Sequence, residues 1–384
     1  MLNGSRKPAI PASITTYTND LGHAVRYAEG LLKRFRIFYR LTFYINRYIC
    51  LVRCTIAFFF IVCCLTAAKQ PVRKYLIEGR AQGTTYRVIY YARDSVVTSS
   101  QIDSIVEKID SSLSLYKDYS LINQFNQSQS GVIMDDHFQK VVRKSLATYR
   151  ETNGIFDVTV QPLVQAWGFG PREIAVLPDS ATIDSIKNCI GSNYLQIIGN
   201  KLIKKKACIK VDLNGIAQGY TVDVIGAFLN QYGLDHYMVE LGGEIVVKGR
   251  RQPTNEKMKI GIESPGDDEF ERGVMNKIVF IDRGAITTSG NYRRFFETDG
   301  RQVSHLIDPR TGYPVENELI SITVYAGDAM TADAFDNALM VMGLKEAMKF
   351  VNRRNRIAAH FIYKDRNGKI KDTMSRRFRA LVQE

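Results

Sequence analysis

The chain has 384 residues, of which 24% are charged, and carries a formal net charge of +13. Twelve Lys or Arg residues and only two acidic residues precede Tyr75, so residues 1–74 hold +10 of that charge and the remainder only +3. Because the folded part lacks a basic cluster interleaved with aromatic residues, the composition argues against a nucleic-acid-binding protein.

Residues 1–74 are predicted to form a basic leader with a signal or anchor segment. The apolar stretch 54–68 has the length of a signal-peptide core and is short for a membrane-spanning helix. Thr66 and Ala68 are candidate cleavage residues, and Cys63 or Cys64 is a candidate lipidation site. Cleavage, lipidation and an uncleaved anchor all remain open.

Residues 75–384 are predicted to form one domain, with enough chain for a single large core or two closely joined lobes. Apolar periodicity predicts helices over residues 99–114, 136–153, 218–232, 329–342 and 345–355. Strands are predicted near residues 86–91, 209–213, 238–248, 258–263, 277–281 and 320–325. The irregular alternation indicates an α+β fold with mixed sheets and flanking helices.

Two cysteines, Cys189 and Cys208, lie in this domain. In an oxidising compartment they could form a disulfide bridge, whereas their apolar surroundings are equally compatible with buried free thiols.

The segment KVDLNGIAQGYTVD, residues 210–223, places an apolar strand before Asn214-Gly215 and a helix. A strand, a glycine turn and a helix N-terminus can bind an anion through backbone N–H groups and the helix dipole. By itself this pattern is more often an ordinary connection, in which Asp212 and Asn214 are turn and cap residues.

The segment HLIDPRTG puts His305 at the end of a predicted strand, residues 302–307, directly before an Asp-Pro-x-x-Gly turn. Histidine is the usual side chain for proton transfer near neutral pH. A histidine beside a strand is nonetheless more often a hydrogen-bonded structural residue.

A helix that begins near residue 328 or 331 places Asp333 and Asn337 on one face, four residues apart. A carboxylate and an amide oxygen suit Mg²⁺, which fills its other positions with water and ligand phosphates. The commoner alternative is a solvated polar stripe. Together with the two preceding segments, this pair predicts a site for a phosphate-bearing ligand and a divalent cation.

These segments, together with others in the same order, resemble the FAD:protein FMN transferases of the ApbE family. The resemblance runs from about Tyr75 to the C-terminus, and its segments are GTTYRV, SLSLYKDYSLINQFN, GIFDVTVQPLVQAWGFGP, VDLNGIAQGY, MVELGGEIVVKG, AITTSGNYRRF, HLIDPRTG and ADAFDNALMVMG. The resemblance implies an ApbE-like α+β fold.

The resemblance also implies a Mg²⁺-dependent reaction that transfers the FMN part of FAD to a Thr or Ser hydroxyl of an acceptor protein and releases AMP. The family's acceptors are exported subunits of redox complexes. The implied location is the periplasmic side of the bacterial inner membrane, as a membrane-anchored protein or lipoprotein. Two alternatives remain: an FAD pyrophosphatase that yields FMN and AMP, and a non-catalytic exported flavin-binding protein.

Matched to the family's motifs, Asp333 and the backbone carbonyl of Gly215 are implied metal ligands. Asn337 is implied as a third ligand where the family usually has threonine. His305 matches the functional histidine, as a general base or phosphate-orienting group. Asp308 is a candidate to orient its imidazole, or else is only the first residue of the turn.

The resemblance implies a second set of residues that contact FAD. Gln82 stands where methionine is usual, and Gln218 stands where many relatives carry lysine. The implied FAD-contacting residues are Gln82, Tyr116, Ile155, Phe156, Asp157, Asp212 and Gln218.

Overall fold

The computed structural model describes residues 14–65, 71–264, 274–291, 295–298 and 301–382, and the chain divides at Pro71 into two units. The first unit contains one helix, α1 (Ile14–Leu65), and every side chain from residue 26 to residue 58 is exposed. Among the described helices, none has both the length and the apolar character needed to cross a membrane. Thr66 and Ala68 lie outside the described residues, so the cleavage, lipidation and anchor hypotheses stay predictions.

The second unit combines helices with antiparallel sheets. Its helices are α2 (Ser99–Leu113), α3 (Leu121–Gln127), α4 (Asp136–Glu151), α5 (Gln161–Ala166), α6 (Ser180–Lys187), α7 (Asn214–Gln231), α8 (Ala329–Asn352) and α9 (Arg376–Arg379). Its strands are β1 (Arg73–Ala81), β2 (Thr84–Ala92), β3 (Gly131–Ile133), β4 (Leu195–Ile198), β5 (Lys201–Lys204), β6 (Tyr237–Leu241), β7 (Glu244–Lys248), β8 (Met258–Ser264), β9 (Val274–Ile281), β10 (Arg283–Gly290), β11 (Phe295–Thr298), β12 (Arg301–Ser304), β13 (Leu319–Ala326), β14 (Ile357–Lys364) and β15 (Ile370–Met374).

The principal sheet has eight strands in the order β1-β2-β6-β7-β10-β13-β14-β15, and each pair is antiparallel. The prediction of one strand over residues 238–248 is wrong, because β6 and β7 form a hairpin. Gly242 and Gly243 have φ angles of 62° and 111°, and two consecutive positive φ angles are what a two-residue hairpin turn requires. The α+β class is confirmed.

The predicted strand over residues 209–213 is also wrong. Apart from the exposed Lys210 this segment is buried, and it pairs with no strand among the described residues. The Asn126 amide accepts from the Val211 N–H at 2.7 Å and donates to the Val211 carbonyl at 2.9 Å. The Asp212 N–H donates to the Val158 carbonyl at 2.7 Å. Part of this apolar run therefore makes its hydrogen bonds to a side chain and a loop carbonyl instead of to a neighbouring strand.

Two helices, α7 and α8, cover one face of the principal sheet. Ile225 and Leu229 of α7 pack with Val88 and Val239 of the sheet. The equivalent contact of α8 is made by Phe335 and Leu339 against Ile322 and Phe361. Amphipathic helices that cover a sheet bury one face of each element, and this burial is the main stabilising contribution to such a fold.

The crossing of α7 and α8 is unusually close, and Gly219 permits it. A Cβ atom at Gly219 would lie 2.5 Å from the Ala329 carbonyl oxygen and 2.7 Å from the Asp333 Cβ. The Asp223 carboxylate of α7 accepts from the first two N–H groups of α8, those of Ala329 and Met330, at 2.9 and 2.8 Å. These contacts fix α8, and with it Asp333, against the start of α7.

Cys189 and Cys208 form a disulfide bridge, with their Cα atoms 5.6 Å apart. Closing a loop between cysteines 19 residues apart should stabilise the fold by about 3 kcal/mol. We therefore expect reduction, or Cys189→Ala with Cys208→Ala, to lower the free energy of unfolding in urea by about that amount. Cys50→Ser with Cys54→Ser in α1 is the matched control, and unchanged urea midpoints after reduction would contradict the expectation.

Candidate active site

A cleft of about 1250 Å³ opens beside the start of α7 and the middle of α8. Its lining brings together residues from seven separate segments of the chain. Seven of the predicted site residues line it: Gln82, Tyr116, Gly215, Gln218, His305, Asp333 and Asn337.

A second cavity of about 170 Å³ lies on the other side of the Gly215 turn. Ile155, Phe156, Asp157 and Asp212, the other four predicted site residues, line it. Gly215, His305 and Asn337 border both cavities. All the predicted site residues therefore line one or both of two adjoining cavities. Their individual roles stay predictions.

The predicted metal ligands lie together where α7 meets α8. The Asp333 Oδ2 atom accepts from the Gly219 N–H at 2.9 Å. The Asn337 Nδ2 atom lies 3.4 Å from both the Gly215 carbonyl oxygen and the Asp333 Oδ1 atom. The structure thus points the amide nitrogen, rather than the predicted oxygen, at this cluster, and a half-turn of the amide group exchanges the two atoms.

Asp336 is a further member of this cluster that the sequence patterns missed. It is only 1% exposed, its Oδ2 atom accepts from the Thr287 hydroxyl at 2.6 Å, and its Oδ1 atom accepts from Asn337 Nδ2 at 3.0 Å. Its spacing of three residues from Asp333 was the available signal, since residues three apart share a helical face.

This set of donors fits a hard cation. The Gly215 carbonyl, the Asp333 carboxylate and the Asn337 amide offer oxygen atoms, as Mg²⁺ prefers, and leave room for water and phosphate. Within the described residues, no group of three or more His, Cys, Asp or Glu side chains is placed to hold a metal. A cation bound here would therefore rely on backbone and amide oxygens as well as carboxylates.

Burial raises the pKa of several carboxylates around this cluster. The pKa of Asp333 rises to about 7, that of Asp223 to about 7 and that of Asp212 to about 6. Burial, followed by the charge of Asp333, also holds the pKa of Asp336 well above its ordinary value. Burial thus shifts these groups towards the protonated form, and a bound cation would shift them back towards the ionised form.

These shifts predict how stability depends on pH. Because the folded pKa values are raised, the folded state holds protons that the unfolded state releases, so the metal-free protein should lose stability as pH rises from about 4 to 7. Mg²⁺ favours ionised Asp333, so we expect Mg²⁺ to raise the thermal midpoint more at pH 8 than at pH 5.5. Thermal unfolding with Asp333→Asn as control tests this, and equal Mg²⁺ effects at both pH values would contradict it.

Gln82 occupies the turn between β1 and β2 with a φ angle of 49°. Its Nε2 atom donates to Asp110 Oδ1 at 3.1 Å and to the Thr221 hydroxyl at 3.0 Å. Its Oε1 atom is buried and has no hydrogen-bond partner among the described residues. This acceptor is available to an N–H or O–H group of a ligand in the larger cleft.

Tyr116 lies at the mouth of the larger cleft and is 61% exposed. The loop that carries it is held by Asn123, whose side chain donates to the carbonyls of Leu115 and Lys117 at 3.1 and 3.0 Å. Ser120 caps α3 directly after this loop. Ser120 and Asn123 therefore brace the loop that carries Tyr116.

Asp157 and Asp212 use their carboxylates inside the protein. Asp157 accepts from the N–H and hydroxyl groups of both Thr159 and Ser192, at distances of 2.6 to 3.1 Å. Asp212 accepts from the Asn214 N–H at 2.8 Å, as the turn interpretation predicted. Both residues thus shape the wall of the smaller cavity.

Three N–H groups at the start of α7, where an anion site is predicted, have acceptors within the chain. The Asn214 N–H is held by Asp212, and the N–H groups of Ile216 and Ala217 donate to the Leu213 carbonyl at 3.1 and 2.9 Å. These three N–H groups are therefore used within the first turn of α7, and the anion site stays a prediction.

His305 follows β12, is half-buried, and meets the Phe169 ring edge-on with centroids 6.1 Å apart. Asp308 forms an ion pair with Arg310, with Nη2 to Oδ2 at 2.8 Å and Nε to Oδ1 at 3.0 Å. Its carbonyl accepts from the Gly312 N–H at 2.8 Å. The turn interpretation of Asp308 is therefore supported over the imidazole-orienting one.

Trp167 ties this turn to the rest of the domain. Its indole N–H donates to the Gly312 carbonyl at 2.8 Å, and its ring packs against Tyr313 with centroids 5.9 Å apart. Trp167 is therefore an anchor for the loop that carries His305 rather than a stacking surface.

Comparison with known proteins agrees with this geometry. Residues 82–361 match the model of the ApbE family. The chain is 36% identical over 327 residues to the FAD:protein FMN transferase of Vibrio cholerae serotype O1, covering 83% of this chain and 96% of that protein. It is 33% identical over 341 residues to the FAD:protein FMN transferase of Escherichia coli K12, covering 85% and 95%.

Solved structures show the same likeness. The flavin transferase ApbE from Vibrio cholerae superimposes with a TM-score of 0.73 at 34% identity, covering 81% of this chain and 100% of that chain. The flavinyl transferase ApbE from Pseudomonas stutzeri, in its apo form, gives a TM-score of 0.73 at 31% identity, covering 81% and 97%. With a family match across most of the chain and relatives above 30% identity, this protein belongs to the ApbE family.

Proposed function

We propose that this protein transfers FMN from FAD to a Thr or Ser hydroxyl of an acceptor protein. The hydroxyl oxygen forms a bond to the phosphorus on the flavin side of the pyrophosphate. The bond from that phosphorus to the bridging oxygen breaks, and AMP leaves with the electron pair. The hydroxyl proton passes to a base, and no oxidant or reductant takes part.

One arrangement carries the proposal: the oxygen cluster of Gly215, Asp333 and Asn337 lies with His305 on the boundary of both cavities. The larger cleft, at about 1250 Å³, has ample room for a dinucleotide. Relatives that share a third of the sequence carry the name FAD:protein FMN transferase.

Each group then has a defined part. His305 takes the proton of the acceptor hydroxyl, and Gln82 and Gln218 bind the nucleotide within the larger cleft. Gly215, Asp333 and Asn337 would hold Mg²⁺, which when bound neutralises charge on the pyrophosphate. Positioning and charge stabilisation supply most of the rate in phosphoryl transfer, so these few residues suffice.

The partner and the location are part of the same proposal. The acceptor is an exported protein with a short Thr or Ser motif, and it is a subunit of a redox complex. The protein itself acts on the periplasmic side of the inner membrane, attached through its N-terminal segment. The disulfide between Cys189 and Cys208 supports export, since such bridges persist in oxidising compartments.

Mass spectrometry of a candidate acceptor domain, after incubation with the protein, FAD and Mg²⁺, tests the proposal. We expect a mass gain of one FMN moiety on a single Thr or Ser, and release of AMP, only when Mg²⁺ is present. Reactions without metal and with the acceptor hydroxyl removed by Thr→Val serve as controls.

Two other outcomes would overturn the proposal. Free FMN and AMP without modified acceptor would identify a pyrophosphatase, in which water replaces the acceptor hydroxyl. Unchanged FAD with several candidate acceptors, but measurable FAD binding, would identify a flavin-binding protein.

A further inference from the structure

Strand β1 forms one edge of the principal sheet, and among the described residues it pairs with β2 alone. It is nine residues long, contains no proline, and keeps a continuous register with β2 from Arg73 to Ala81. The strand at the other edge, β15, has only five residues. Proteins usually shorten, bend or cover a long edge, because its backbone can pair with another chain. The edge of β1 is therefore a candidate binding surface for an extended polypeptide segment.

The two-residue turn between β1 and β2 determines which backbone groups of β1 point outwards. The residues on either side of such a turn, here Ala81 and Thr84, bond to each other, and bonded positions alternate from there. The far side of β2 agrees with this pattern, since the Thr85 carbonyl and the Tyr91 N–H bond to residues that flank β6. The residues whose N–H and C=O groups point away from β2 are therefore Lys74, Leu76, Glu78 and Arg80.

The side chains of these four residues are exposed on one face of the sheet. Glu78 pairs with Arg87 of β2 at 2.8 Å, so its charge is compensated. Lys74 and Arg80 form no ion pair within the described part of the chain, and Leu76 lies between them, 50% exposed. The edge thus presents an apolar side chain between two uncompensated positive charges, which are about 20 Å apart along the strand.

This charge pattern disfavours a second copy of β1 as the partner. Antiparallel pairing of two copies centred on Ile77 would place Lys74 of each copy opposite Arg80 of the other. Parallel pairing in register would place each charge opposite its own copy. Like charges directly opposite each other destabilise a sheet. An extended segment with acidic side chains at these two positions would instead match the edge in both hydrogen bonds and charge.

The edge leads directly into the larger cleft. Arg80 and Ala81 at the end of β1, and Gln82 in the turn, line this cleft together with His305. A segment that lies along β1 and continues past Arg80 therefore enters the cleft. Building on the proposed transfer to an acceptor protein, we propose that the acceptor adds an extended segment to the outer edge of β1. Its acidic side chains lie against Lys74 and Arg80, and its Thr or Ser hydroxyl lies beyond Arg80 in the cleft.

Leu76→Pro tests this proposal, because proline removes the outward N–H and leaves the bonds between β1 and β2 in place. With an acceptor domain that the wild type modifies, we expect the KM for the acceptor to rise at least about tenfold. FAD binding and the thermal midpoint should stay close to those of the wild type. Ile370→Pro removes an outward N–H from β15 and is the matched control, which should leave the acceptor KM unchanged.

Hydrogen exchange of the wild-type protein provides a second readout that needs no variant. Binding of the acceptor domain should slow exchange at the outward N–H groups of Leu76, Glu78 and Arg80. The N–H groups of Ile77 and Gly79 are already bonded to β2, so their exchange should change little. A purely structural role of β1 would not produce this alternation.

Charge reversal tests the acidic character of the acceptor segment. Lys74→Glu with Arg80→Glu should raise the acceptor KM at least about tenfold, because like charges would then face each other. Arg366→Glu with Lys369→Glu, at exposed positions beside β15, makes the same change in net charge and should have little effect.

Three results would overturn the proposal. The first is a normal acceptor KM in Leu76→Pro, or no slowing of exchange at the outward N–H groups, while the wild type transfers FMN; this contradicts the docking proposal alone. The second is a wild-type dimer, seen by sedimentation velocity without acceptor, that Leu76→Pro dissociates, since β1 would then pair with a second copy. The third is a wild type that modifies no acceptor, which contradicts the proposed function and the docking proposal with it.

Discussion

Asp333→Ala should abolish Mg²⁺-dependent transfer of FMN to the acceptor, with a rate loss of at least about a thousandfold. Asp333 supplies the carboxylate of the oxygen cluster. A bound metal stabilises the transition state of such reactions by several kcal/mol. Each 1.36 kcal/mol of activation free energy changes the rate tenfold. Single-turnover rates at a series of Mg²⁺ concentrations measure the loss.

The fold should survive this change. Asp333 is only 4% exposed, and burial raises its pKa to about 7. Removing a carboxylate that is costly to ionise offsets the loss of its bond to the Gly219 N–H. Thermal unfolding should therefore show a midpoint in the metal-free protein close to that of the wild type.

Glu346→Ala is the matched control, because it removes a carboxylate from the same helix. Glu346 is exposed and pairs only with Lys349 on the surface, at 2.9 Å, and such pairs contribute little. Its Mg²⁺ dependence should equal that of the wild type. Full transfer activity of Asp333→Ala with an unchanged Mg²⁺ response would show that the metal assignment is wrong.

Local patterns predicted much of the fold because the decisive information lay within a few residues. The apolar periodicity of α2 and α4 is a signal of that kind. The error over residues 209–213 had a distant cause. Asn126 lies 85 residues from Val211, and no local signal shows that its amide replaces a neighbouring strand.

In the candidate site, too, some residues could be predicted from local spacing and others depend on contacts between distant segments. Asp333 and Asn337 could be paired from their helical spacing, but the meeting of α8 with Gly215 depends on the crossing at Gly219. Asp336 resembled an ordinary polar residue because its partner, Thr287, lies 49 residues away on β10. The family resemblance assigned residues from distant segments to one site. Periodicity could not do so, because it describes only neighbouring residues.

His305→Ala should slow FMN transfer by about 10²- to 10⁴-fold, the usual contribution of a positioned general base, while FAD binding changes little. His305 borders both cavities, so it can reach an acceptor hydroxyl without holding the nucleotide. Single-turnover transfer and equilibrium FAD binding, measured separately, distinguish the two effects. His305→Gln keeps hydrogen-bonding groups but cannot take a proton near neutral pH, and it should be nearly as slow.

Asp308→Asn is the informative companion to these variants. The Asp308 carboxylate pairs with Arg310, so we expect its removal to alter the rate far less than His305→Ala. A loss as large as that of His305→Ala would restore Asp308 as an orienting group. If His305→Ala instead weakened FAD binding as much as it slowed transfer, His305 would be a nucleotide contact, and the base would have to be sought elsewhere around the boundary of the two cavities.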